Sequence, residues 1–86
     1  MTAEIQEYKE FIVKKLYHYN CFGAKHTDIE NLKKGLAGHL KGNIRPAAKE
    51  LIKEQILLLK ISSYELHVSL NPHKRKEMDK YLIEKE

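Results

Sequence analysis

The chain has one cysteine, Cys21, no tryptophan and no long apolar run. A lone cysteine excludes an internal disulfide and a Cys-rich zinc module. Small secreted domains usually need such staples, so the expected compartment is the reducing cytosol. The longest uninterrupted apolar stretch is Ile56-Leu57-Leu58-Leu59, far short of the roughly 20 residues a membrane-spanning helix needs. Glu4 and Glu7 are wrong for a signal peptide, and no membrane partner is expected. With 86 residues there is room for one domain with a modest core.

Motifs for chemistry are also missing. Gly35, Gly38 and Gly42 lack the strand context of a phosphate-binding loop. No serine-centred nucleophile motif occurs, and the carboxylates alternate with lysines in helical registers, as on solvated faces. Neither an enzyme nor a cofactor is expected. His18, Cys21 and His26 come nearest to a metal set, but their spacing matches no zinc motif, so no metal is expected either. His39 reads as a packed or phosphate-facing imidazole, and Cys21 beside Phe22 as a small buried apolar group.

What is present is periodicity. Ile5, Tyr8, Ile12, Leu16 and Tyr19 recur at helical steps and predict a first helix over about 3–20, with Thr2 as N-cap and Gly23 as stop signal. Thr27 and Glu30 have the spacing of a capping box. They predict a second helix from Thr27, with Ile29, Leu32 and Leu36 buried. Three glycines between 35 and 42 then read as a turn. A third helix is expected from about Ile44 to Gln55, with Asn43 as N-cap and Pro46 in the first turn. Ile44, Ala47, Ala48, Leu51 and Ile52 form its inner face, and Arg45, Lys49 and Lys53 form one outer line. Ile56–Ile61 and the alternation of Leu66, Val68 and Leu70 with His67 and Ser69 predict a hairpin. Asn71-Pro72 starts a last helix over 72–85, with Asn71 as N-cap.

Helix, helix, helix, hairpin, helix is the order of an α+β, mostly helical winged helix-turn-helix, with the hairpin as wing. The stretches KHTDIENLKKGL (25–36), AAKELIKEQILLLK (47–60) and YELHVSLNPHKRKEM (64–78) resemble a group of small archaeal winged helix-turn-helix proteins. Those proteins are mostly uncharacterised or labelled as transcription regulators. The most specific part is HVSLNP, where the last wing strand breaks into the Asn-Pro helix start. The resemblance implies a DNA-binding regulator. Its pattern has glycine after the wing tyrosine and at the end of the third helix, where this chain has Glu65 and Gln55.

Charge agrees with that expectation in its distribution. The net charge is +4. Between Glu30 and Glu50, residues 31–49 hold no acid but carry Lys33, Lys34, Lys41, Arg45 and Lys49. A second basic cluster is His73-Lys74-Arg75-Lys76. The expected partner is double-stranded DNA. Asn43 and Arg45 are the candidates for base edges, because each side chain can make paired hydrogen bonds to a purine. Lys33, Lys34, Lys41, Lys49 and Lys53 are candidates for phosphates, and Ser63 and Tyr64 for the backbone. A homodimer through the first or last helix would double the site, with Tyr8, Phe11, Tyr17 and Tyr81 as apolar candidates. The alternative from another class is a protein–protein interaction module within a larger assembly.

Overall fold

The first helix, α1 (Ala3–His18), buries Ile12, Val13 and Leu16 and packs Tyr8 and Phe11 against the same core. A computed structural model describes residues 3–34, 36 and 38–82; Thr2 and Gly35 lie outside them. Helix α1 stops earlier than its periodicity suggests. Asn20 takes φ +59°, the Cys21 amide bonds Leu16 O and the Asn20 amide bonds Tyr17 O. This is a Schellman closure, and it satisfies carbonyls that the helix end would leave open. Asn20 rather than Gly23 is therefore the stop, and Tyr19 lies outside the stripe, exposed.

The helix expected from Thr27 does not form as an α-helix. Thr27–Asp28 is instead a short strand, β1. A five-residue 3-10 turn (Ile29–Lys33) comes after it and buries Ile29 and Leu32, in keeping with the apolar pattern. Asp28, not Thr27, caps this turn: its side chain accepts the Glu30 amide at 2.9 Å. Thr27 Oγ1 accepts from Asn31 Nδ2 at 2.8 Å. A second 3-10 helix (Gly38–Asn43) then occupies most of the segment read as a turn.

That second 3-10 helix runs directly into α2 (Ile44–Lys53). Asn43 is itself helical, at φ −84° and ψ −9°, and makes no side-chain capping bond, which corrects its expected N-cap role. Ile44, Ala47, Ala48 and Leu51 are buried. The end of α2 is a second Schellman closure, with Ile56 N to Leu51 O, Gln55 N to Ile52 O and Gln55 at φ +65°. The resemblance put glycine at position 55, and the backbone there has the left-handed form that favours it.

Strands β2 (Leu57–Ser62) and β3 (Glu65–Leu70) form the hairpin, with Ser63 and Tyr64 as its two-residue turn. Ser63 supplies the positive φ, +53°, that such a turn needs. Sheet order is β1-β3-β2, antiparallel throughout. Val68, Leu70 and Leu57 are buried on the core face. Asn71 then begins the last helical segment, a 3-10 turn (Pro72–Lys74) leading into α3 (Arg75–Leu82). Its Oδ1 accepts the His73 amide at 3.0 Å, and its Nδ2 donates to Gln55 O at 2.9 Å. The Asn-Pro start thus also clasps the end of α2. Among the described residues the sum is a small, mostly helical α+β domain with three α-helices and a three-stranded antiparallel sheet.

One polar cluster joins the three α-helices. Lys9 of α1 is 3% exposed and ion-paired with Glu54, the residue closing α2. Tyr81 of α3, also buried, donates to Glu54 Oε1 at 2.7 Å, and Lys80 Nζ lies 3.5 Å from the same oxygen. Burial disfavours the charge on both Lys9 and Glu54. The hydrogen bonds within the cluster more than offset it, so the Lys9 pKa lies above its ordinary value and the Glu54 pKa below. Tyr81 is pushed up by burial and by its bond to Glu54.

Two stability outcomes are expected. Glu54→Ala strands a buried ammonium and should cost about 3 kcal/mol in urea unfolding. In the wild type the Glu54 contribution is fully present at neutral pH and is lost as pH falls below the ordinary carboxylate range, through its depressed folded value. The Lys9 contribution is lost as pH rises beyond the ordinary lysine value. Gln55→Gly should stabilise by about 1 kcal/mol, because it relieves a left-handed residue bearing a Cβ.

Candidate functional site

Helix α2 turns Ile44, Ala47, Ala48 and Leu51 to the core, so its opposite face meets solvent. Arg45, Lys49 and Lys53 all lie on that face, exposed and at steps of four residues, which stacks them in one line. The line is anchored at both ends by acids. Glu30 Oε2 lies 3.5 Å from the Arg45 guanidinium and 3.2 Å from Lys33 Nζ. At the other end, Glu50 lies 3.6 Å from Lys53 Nζ. The acid-free window of the sequence is therefore not acid-free in space. Glu30, just outside it, bridges two of its cations.

The remaining candidates are spread around this line. Lys34 is exposed, and its carbonyl accepts from Lys15 Nζ at 2.7 Å. Asn43 is half-buried at the entry to α2. The backbone of Lys41 lies in the 3-10 helix before α2, but its side chain and that of His39 fall outside the described residues. Ser63 and Tyr64 stand at the hairpin tip, both exposed, with the Tyr64 ring entirely in solvent. In the second basic cluster, Lys74 pairs with Glu77 at 3.8 Å and the Arg75 guanidinium stacks 4.4 Å over the Phe22 ring.

Pattern reasoning missed the apolar side of this region. Leu59 and Leu66 share the core face of the hairpin with Leu57, Val68 and Leu70, but lie toward its tip. Together with Ile29, Ala48 and Ile52 they line a groove of about 120 Å³ between α2 and the hairpin. Arg45 and Lys49 line it too. Ile61, next toward the tip, is 69% exposed. The run Ile56–Ile61 signalled a strand, but nothing in it separates the residues that reach the core from Leu59 and Ile61, which do not.

The apolar candidates for a dimer are reduced. Tyr81 is 1% exposed and belongs to the core, which removes it from any surface. Tyr8 and Phe11 are partly buried against that core. Tyr17 is exposed and meets Phe22 edge-on at 5.7 Å. Among the described residues, no helix is long and apolar enough to cross a membrane.

No protein-family model matches the chain, and comparison with curated proteins and with solved structures yields no match.

Proposed function

We propose that this chain is a winged helix-turn-helix that binds double-stranded DNA and regulates transcription. In that reading the 3-10 turn Ile29–Lys33 and α2 are the helix-turn-helix pair, α2 enters the major groove, and the β2–β3 hairpin is the wing. The strand β1 beside β3 fits the same architecture. The observation that carries the proposal is the exposed line Arg45, Lys49 and Lys53 on α2, opposite its buried face. Arg45, near the start of α2, is the residue assigned to a base edge, because a guanidinium can take both guanine acceptors. Lys33, Lys34, Lys41, Lys49 and Lys53 take phosphates, and Ser63 and Tyr64 touch the backbone from the wing tip.

Glu30 adds a cost to this reading. Its ion pairs with Arg45 and Lys33 must open or be shared when a phosphate arrives. Both pairs are partly exposed, so each is worth little by itself in water. A homodimer would use the exposed side of α1 around Tyr17 and Phe11.

A second reading rests on a specific observation. The apolar groove beside α2 and the exposed Leu59, Ile61 and Tyr64 are features of a protein-docking surface rather than of a phosphate contact. Under that reading the chain is an interaction module of a larger assembly.

Mobility shift on generic duplex DNA separates the two. With four or five phosphates neutralised, the logarithm of the affinity should fall with that of salt at a slope of about −4. Arg45→Glu should abolish the shift with far-UV circular dichroism unchanged. Glu30→Gln should tighten binding several-fold by releasing Arg45 and Lys33. Absence of a shift at low salt, or wild-type affinity in Arg45→Glu, would remove the DNA reading in favour of the docking surface.

A further inference from the structure

A second site lies on the outer face of the sheet, away from α2. Asp28 of β1 sits directly opposite His67 of β3. Glu65 lies two residues earlier on β3 and so projects from the same face. The ligand-type atoms of these three side chains all lie within 4.8 Å of one another, and His67 Nε2 is 3.2 Å from Glu65 Oε1. On the far side of the imidazole, His67 Nδ1 is 2.8 Å from His26 Nδ1, with the rings edge-on at 77°.

That last contact constrains the protons. One hydrogen, not two, fits between the two Nδ1 atoms. When His26 supplies it, His67 Nε2–H donates to Glu65 Oε1; when His67 supplies it, His26 accepts, and the Nε2 lone pair of His67 faces two carboxylates. In that second tautomer three electron-rich groups converge, and a cation takes the place of the proton that Nε2 otherwise donates to Glu65. A cation satisfies all three, and a neighbour that accepts the Nδ1–H of a ligating imidazole is the usual support of a metal-bound histidine. Asp28 is already held from behind, since its Oδ1 accepts the Glu30 amide at 2.9 Å. Lys60, the β2 partner of His67, is the positive group that the sheet register brings nearest on the other side.

We propose that Asp28, Glu65 and His67 bind a divalent transition-metal ion of the zinc class, with His26 as the positioning residue that orients the His67 ring. One nitrogen and two oxygen donors suit zinc or cobalt(II), and leave room for a water ligand. Exposed Glu65 can close the remaining distance by rotation of its side chain. In sequence, His18, Cys21 and His26 come nearest to a metal set, and of these His26 alone takes part, in a supporting role. A bound ion would tie β1 to β3. It would therefore hold the entry to the first 3-10 helix against the hairpin.

The test is titration of the full chain with zinc by calorimetry and with cobalt(II) by visible absorption. One ion per chain is expected, with nitrogen–oxygen cobalt bands and no thiolate charge-transfer band. His67→Ala should lower affinity at least about 100-fold, and Glu65→Gln and His26→Phe about 10- to 100-fold each. Cys21→Ser should leave it unchanged. If His67→Ala fails to fold, Glu65→Gln, on an exposed side chain, still decides the matter. Lack of binding at about 100 μM metal would overturn the proposal. So would affinity unchanged in both His67→Ala and Glu65→Gln, or a thiolate band assigning the ion to Cys21.

Discussion

Glu54 is where the three α-helices are joined. It closes α2 while its carboxylate receives Lys9 from α1 and Tyr81 from α3, with Lys80 close by. A lysine as buried as Lys9 is costly unless its charge is met, and the carboxylate meets it. Both partners stay charged at neutral pH, as the directions of their pKa values require. The cluster is specific in a way that apolar packing is not: α2 can rotate past a leucine more easily than past a paired, hydrogen-bonded carboxylate. Asn71 adds a second clasp close by, bonding the carbonyl of Gln55, the residue after Glu54. The stripe of Ile44, Ala47, Ala48 and Leu51 sets which face of α2 looks inward, and these contacts hold the end of the helix in that orientation.

The outward face depends on that constraint. Arg45, Lys49 and Lys53 stand on it because Ala47, Ala48 and Leu51 are held against the core. The hairpin is fixed beside it through the same α2 end. Two chemistries thus meet along one edge, a cationic line on the helix and an apolar strip on the hairpin. Glu30 moderates the first by holding Arg45 and Lys33. It orders two long side chains, at the expense of net positive charge. The Asp28–Glu65–His67 cluster, proposed as a metal site, is placed independently, on the opposite face of the sheet, by the register of β1 and β3.

Much of this was legible in the residues. Helical steps found α1 and α2 and their buried faces, and alternation found β3 and its two faces. HVSLNP marked the strand-to-helix change, and Asn71 caps as that motif suggests. What was not legible has physical causes. Thr27 and Glu30 have capping-box spacing, yet Thr27–Asp28 pairs with β3, because two residues of β1 gain ladder bonds that no local pattern records. Helix ends were misplaced because Asn20 and Gln55 enter the left-handed region without being glycine. Lys9 looked like one more surface lysine on α1. Its burial depends on Glu54, 45 residues away. The His26–His67 contact is likewise a product of sheet register, and the sequence supplied nothing nearer than the strand alternation that puts Glu65 and His67 on one face. For the proposed interface, the outer line of α2 was readable, while the role of Glu30 required the 3-10 turn to be folded against it.

The proposed function places duplex DNA on the outward face of α2, with the hairpin tip touching it from the side. Amide chemical-shift mapping during titration with a short duplex tests that placement most directly. The expected result is perturbation concentrated at Gly38–Asn43, at Arg45, Lys49 and Lys53, and at Ser63 and Tyr64, with the Lys9–Glu54–Tyr81 cluster unchanged. Perturbation absent, or scattered without preference for α2, would contradict it.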